Sequence, residues 1–321
     1  MSIDLTKLGL SAEVVGQLST YKPTASSGRL LLYDGDGACY THTAGVKRIE
    51  TAYRRFEQDI LTMMYLTKCE RALVHLTPSG CFKNGRHLLL GVKRYQENRS
   101  NVKKPELLNE LRNTVHIRFK DHPDFTIVQN YEVEADDGLM MDSFKYPDAT
   151  LLSADKDLLI NPNTHYDLET GKFIKLNKGD RFGWIDRKDW YTPQGKKQSK
   201  CIGKGTKFFL AQCLMGDSAD NVQGVLKLHG KACGFAGALD YLKPITCEHE
   251  AVNAVIDAYR VIGQNIAPEA EAMWLLRNPD DSAYKYFTEH ELTTENAHFL
   301  TDCYLSKWKL TQEEYENEFS K

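Results

Sequence analysis

Carboxylates gather in four short groups between positions 34 and 220: Asp34; Glu134, Asp136 and Asp137; Asp155 and Asp157; Asp217 and Asp220. Three of the groups stand at or just after an apolar, strand-like run. Like charges repel, so acids crowd together only where something positive holds them. A parallel α/β sheet can collect them, because ligands of such sheets bind beyond the carboxyl ends of the strands. The grouping therefore predicts divalent metal, and divalent metal in such a cluster predicts phosphate chemistry.

The rest of the pattern agrees with a sheet. Residues 29–33 (Arg-Leu-Leu-Leu-Tyr) read as a buried strand with a turn after it at Asp34-Gly35-Asp36-Gly37. Residues 45–67 have helix-compatible apolar spacing, and 71–77, 125–131 and 149–153 read as three more strands. Strands alternating with helix-length segments predict a mainly parallel sheet. From about 208 onward the spacing is helical, through 250–262, 270–277 and 295–309. The expected organisation is an α/β core over 1–207 and a helical region over 208–321, packed on the sheet.

At 321 residues, with 41% hydrophobic and 26% charged content, the chain suits an ordinary globular enzyme. No apolar run approaches 20 residues, and the N-terminal Met-Ser-Ile-Asp-Leu-Thr-Lys has no apolar signal core. A cytoplasmic protein with no membrane partner is expected. The eight cysteines are scattered, and none forms a Cys-x-x-Cys pair, so they read as reduced core thiols. The net charge of -3 alone argues weakly against nucleic acid. Without the eight clustered acids, however, 36 of the 44 acids face 41 Lys and Arg. A mildly basic body around a metal-neutralised acidic pit is a workable layout for a nuclease.

Two basic stretches stand out. The first, 83–112, carries Lys83, Arg86, Lys93, Arg94, Arg99, Lys103, Lys104 and Arg112, with Tyr95 among them. Most such runs are solvated faces, but this one lies between two strands that end at the acids, which favours phosphate contact. The second, 193–207, is Lys- and Gly-rich without the spacing of a P-loop, and reads as a flexible surface linker first and a DNA contact second.

Locally, Asp155 and Asp157 would share one face of an extended segment. Glu134, Asp136 and Asp137 would open a helix, where capping accounts for one or two acids more comfortably than three. Asp217 and Asp220, three apart, would repel each other on a helix.

In order, the residues are Asp34-Gly35 after the first strand, Val133-Glu134-Ala135-Asp136-Asp137, Ser153-Ala154-Asp155-Lys156-Asp157, and a segment running from Gly216-Asp217 through Asp220-Asn221 to Gly224-Val225. This series resembles the structure-specific 5′-nuclease (flap endonuclease) superfamily, in particular the bacteriophage 5′→3′ exonucleases, from about residue 29 to about residue 235. The resemblance implies a PIN-like 5′-nuclease fold with a helical arch over 80–112 and a helix–three-turn–helix DNA-binding element after Asp220. It assigns catalysis to the core over 1–207 and DNA binding to the helical region over 208–321. It implies two Mg2+ ions, with Mn2+ able to substitute. Asp34, Glu134 and Asp136 would hold the first, and Asp155, Asp157 and Asp220 the second. Asp137 and Asp217 would bind through water or support the metal from behind the direct ligands.

By the same resemblance, Arg99 would meet the scissile phosphate, and Lys93 and Arg94 would supply charge where the arch lysine is replaced by Gln96. Lys83, Arg86, Tyr95, Lys103, Lys104, Gly224, Gly230 and Lys231 would contact DNA, with K+ at the helix–three-turn–helix. The chain departs from the pattern at an Asp usual after the second strand, here Thr77 or a neighbour, and at Lys227-Leu228-His229, where the family has Gly-Ile-Gly. Tyr40, Tyr95 and Phe82 are the candidates for stacking on a base.

The expected activity is metal-dependent hydrolysis near 5′ ends or flaps of duplex DNA and RNA/DNA hybrids, by a monomer serving phage replication beside other replication proteins. A metal-deficient, DNA-binding relative is the alternative, kept open by Thr77. A PIN-type nuclease or a phosphatase is third, disfavoured by the basic insert.

Overall fold

The computed structural model describes residues 28–99 and 103–319. The segment on which the signal-sequence reading falls, and residues 100–102 of the basic stretch, lie outside the described residues. Leu30–Asp34 (β1), Arg71–Leu76 (β2), Phe125–Gln129 (β3) and Thr150–Leu152 (β4) form where strands are expected, and Thr164–Asp167 (β5) and Lys172–Ile174 (β6) extend the same sheet. The order is β3-β2-β1-β4-β5-β6. β1 to β5 run parallel, and β6 is an antiparallel edge. The winding reverses between β1 and β4, and the crevice at such a reversal is where open α/β sheets bind ligands.

β1 shows why its sequence is apolar without a break. Leu31 and Tyr33 enter a core with Phe56, Ile60 and Leu111, which come from helices Ile49–Thr67 and Leu108–Arg118. Leu32 enters the opposite core with Leu139, Leu151, Phe208, Tyr259 and Trp274. A strand covered on both faces has no polar side to show. The second core continues through helices Thr206–Met215, Glu248–Arg260, Ala267–Met273 and Thr294–Leu305, and so ties the C-terminal helices to the sheet.

Several local expectations are corrected. No separate turn follows β1: helix Gly35–Thr43 starts at once, capped by Asp34, whose carboxylate accepts from the Asp36 N–H. Segment 193–207 is not a linker, because Trp184–Tyr191 (β7) and Lys197–Lys204 (β8) pair as an antiparallel hairpin and helix Thr206–Met215 follows. Lys204 and Lys207 are buried and donate to backbone carbonyls, Lys204 to Asn161, Lys207 to Lys243 and Ile245.

The described part of 80–112 is not a helical arch. It has 3-10 turns at Lys83–Leu88 and Glu97–Arg99, and α-helix only from Leu108. The positive φ of Lys83, Asn84, Gly85 and Gln96 explains why no longer helix propagates there.

Candidate metal centre

All four acid groups are carried to the carboxyl edge of the sheet. Asp34 ends β1, and Ser153 and Asp155 follow β4, its neighbour. Glu134 caps helix Ala135–Lys145, which begins after β3 and places Asp136 and Asp137 in its first turn. Asp155 and Asp157 are not in an extended segment: Asp155 caps the 3-10 turn Lys156–Ile160, and its Oδ1 accepts from the Asp157 N–H at 2.9 Å. Asp217 and Asp220 are not on a helix either. They lie in a tight turn closed by reciprocal backbone bonds between Asp217 and Val222, 2.9 and 2.7 Å long.

A cavity of about 400 Å³ opens at the crevice, lined by Asp34, Asp36, Glu134, Asp136, Asp155 and Asp220 together with Tyr95, Gln96, Arg99 and Arg112. Tyr40, exposed, also faces it. Beside it, Asp157, Asp217 and Asp220 bring one ligand atom each within 4.8 Å of one another. Ser153 Oγ donates to Asp34 Oδ2 at 2.6 Å, and Gln212 Nε2 to Asp157 Oδ1 at 2.5 Å. These bonds fix the carboxylates without neutralising them.

Burial and the charge of Asp36 push the Asp34 carboxyl up to about 6. Burial, with Asp34 and Asp155 close by, raises Asp136 well above the usual range, and burial with Asp155 does the same to Asp157. Glu134 and Asp217 go the other way. Burial opposes their ionisation, but Arg86 and Lys83 hold Glu134 below its ordinary value, and Lys156, whose Nζ is 2.7 Å from Asp217 Oδ2, does so for Asp217. Buried negative charge short of compensation, presented by oxygen donors alone, fits a hard divalent cation.

The structure also separates residues that the sequence grouped together. Asp137 is fully buried and takes a bidentate pair from Arg86, Nη1 to Oδ2 at 2.7 Å and Nη2 to Oδ1 at 2.8 Å. The Leu276 N–H donates to it as well. Asp137 and Arg86 form a core ion pair under the centre, with Arg86 also reaching Glu134, and this burial keeps Arg86 off a DNA-facing surface. Gly224 is buried too, its N–H donating to Glu269 Oε2 at 3.0 Å, and so is not on a DNA-facing surface.

Of the expected catalytic cations, Arg99 lines the acidic cavity, with Nη2 2.6 Å from Asp220 Oδ1, whereas Lys93 and Arg94 are exposed outside it. Lys83 lies 3.1 Å from Glu134, and the Tyr95 hydroxyl donates to Glu134 Oε2 at 2.8 Å. Lys103, Lys104, Gly230 and Lys231 are exposed, with Gly230 in a tight turn between Leu228 and Lys231.

Sequence reasoning missed Asp36 and left Arg112 unassigned. Asp36 Oδ1 accepts from the Thr77 N–H at 3.1 Å and lies 3.2 Å from Arg112 Nε, while Thr77 Oγ1 accepts from the Ala135 N–H at 2.9 Å. A second carboxylate thus stands beside the position where an Asp was expected. The Asp34-Gly35-Asp36 spacing was the available signal, obscured by reading it as a turn.

No protein-family model matches the chain, and no curated protein matches it. Among solved structures, the chain is similar to the T5 D15 protein crystallised with metal ions, at 14% identity and a TM-score of 0.45, over 86% of this chain and 98% of that one. It is similar also to a variant of bacteriophage T5 D15 flap endonuclease in a pseudo-enzyme–product complex with DNA and metal ions, at 14% identity and a TM-score of 0.46, over 85% of this chain and 99% of that one.

Proposed function

We propose that the chain is a metal-dependent, structure-specific nuclease that hydrolyses phosphodiester bonds near 5′ ends or flaps of duplex DNA and of RNA/DNA hybrids. The observation that carries this reading is the convergence, from four segments, of Asp34, Glu134, Asp136, Asp155 and Asp220 on one crevice and of Asp157 and Asp217 beside Asp220 at its margin. The preferred ion is Mg2+, with Mn2+ as a substitute. When bound, it supplies positive charge against the scissile phosphate and its leaving oxygen.

The chain's own residues do the rest. Asp34 and Asp155, at adjoining strand ends, fix the mouth of the crevice. Arg99 and Lys83, at the margin of the acids, can turn from carboxylate to phosphate when substrate enters. The exposed Lys103, Lys104 and Lys231 suit phosphates further along the substrate. The paired turns after Asp220 would be the duplex grip, with K+ there as part of the same proposal.

The deciding experiment is cleavage of 5′-labelled flap, blunt and RNA/DNA hybrid substrates with Mg2+, read by product size. Short products from the 5′ side support the reading. Turnover of a small phosphate ester in preference to all three would refute it. A binding-only relative is favoured by one observation, the Thr77 position, and isothermal titration with Mg2+ separates it by showing no acid-dependent site.

A further inference from the structure

A second cleft, of about 310 Å³, lies between the ribbon β5–β6 and the hairpin β7–β8. Ala154 and Asp155 line both this cleft and the acidic cavity, so the two adjoin the same segment after β4. Its hairpin wall carries Trp184, Lys188 and Lys200. Lys188 and Lys200 are direct register partners, and like charges placed opposite each other in a ladder are destabilising unless an anion lies between or beside them. Lys188 has Glu169, at 2.6 Å. Lys200 sits 5.7 Å from the centre of the Trp190 ring and has no carboxylate partner among the described residues.

On the other wall, His165 is 4% exposed, and its Nδ1 is buried without a hydrogen-bond partner. Burial and Lys204 hold its pKa down to about 4, so the ring is neutral and adds no charge to this wall. Trp184 and Trp190, 38% and 40% exposed, leave ring area open to solvent where most tryptophans are covered.

Cations interleaved with open aromatic rings suit a single nucleic-acid strand, because every base has a face to stack and every linkage a charge. A cleft of this size admits a splayed nucleotide and not a base pair. Resting on the nuclease reading above, we propose that this cleft seats one nucleotide of a single strand running between the acidic centre and the hairpin, with Lys188 and Lys200 on its phosphates and Trp184 as the stacking face, Trp190 standing further along the same face of the hairpin.

The test is fluorescence anisotropy with duplexes bearing 5′ or 3′ single-stranded tails and with blunt duplex, Ca2+ replacing Mg2+ to hold back cleavage. The double variant Lys188→Ala, Lys200→Ala should weaken binding of a tailed duplex roughly fivefold or more and lower its salt slope by about 1.4, the value for two single-strand phosphates. Blunt duplex should bind as to wild type. Trp184→Ala should weaken the same tailed duplex without changing the slope. Lys200→Arg in the Lys188-intact chain should bind like wild type, and melting curves check that each variant is folded.

Equal losses for tailed and blunt duplex, or no loss for either tail, overturn the proposal while leaving the nuclease reading intact. So does displacement by an Asp/Glu-rich peptide that ignores the tail, which would give the cleft to a protein partner. If wild type binds no DNA of any form, the nuclease reading itself fails, and this one falls with it.

Discussion

Arg86 and Arg99 come from the same basic stretch and have opposite fates. Arg86 is desolvated and spends its guanidinium on Asp137, Glu134 and the Trp274 carbonyl, whereas Arg99 stays half in solvent over Asp220. Removing one partner of a buried pair strands the other charge and costs about 3–5 kcal/mol. Arg86→Ala should therefore show its effect in urea denaturation, with little change in DNA affinity for the protein that remains folded. Affinity loss at unchanged stability would put Arg86 back on the substrate path.

The converse holds for Asp155→Ala and Asp157→Ala, which should abolish cleavage while DNA binding, measured by gel shift, stays near wild type. Wild-type cleavage by either variant would undo the metal assignment. The residue types and their order were legible in the sequence. Their pairing was not, because nothing in a run of arginines says which one a distant core will claim.

At the scale of elements, β1 and β4 were readable because two covered faces leave an uninterrupted apolar run, and β2 and β3 because each keeps a short apolar stretch. The hairpin β7–β8 was not. Its first strand is mostly exposed and its second is rich in Lys, Gln, Ser and Gly, so no alternation of apolar and polar side chains marks it. The supposed arch was misread for a different reason. Its order comes from a clasp to the turn at Asp217–Val222 rather than from helix bonds. Gln96 N–H donates to the Asp220 carbonyl, Asn98 Nδ2 to the Ser218 carbonyl, Arg99 Nε to the Ala219 carbonyl, and Asn221 Nδ2 to the Arg94 carbonyl.

Asn221 itself sits at φ 59°, a conformation Asn tolerates better than most side chains. Asn221→Ala loses both that tolerance and one strap, about 1–2 kcal/mol together. Limited trypsin digestion should then cut faster between Lys93 and Lys104 than in wild type. An unchanged digestion rate there would mean that the clasp does not order the stretch.

Over the whole molecule, the acidic crevice lies where two hydrophobic cores meet across one sheet, so its charges are buried by the same packing that stabilises the fold. That packing sets a pH dependence whose sign can be worked out. The Asp34 carboxyl has a pKa of 3.8 in its ordinary state and about 6 in the fold, and Asp136 and Asp157 shift in the same direction. Between these values the unfolded chain gives up protons that the folded chain keeps. The stabilisation from those protons is present below about pH 4 and is lost as pH rises through 6. Glu134 and Asp217, depressed by their cations, act in the opposite sense only below the ordinary carboxylate range.

A cation that binds the ionised acids reverses the loss in proportion to how fully they are ionised. The rise in Tm on adding Mg2+ should therefore be small at pH 5 and grow through pH 6 to 7.5. In Asp155→Ala the growth should be blunted at every Mg2+ concentration, because one donor is gone while the buried charge is reduced. Thermal unfolding across this range, with and without Mg2+, checks the expectation. A Mg2+ effect of the same size at pH 5 and pH 7.5 would mean that the ion binds elsewhere on the surface and that the crevice holds its charges by other means.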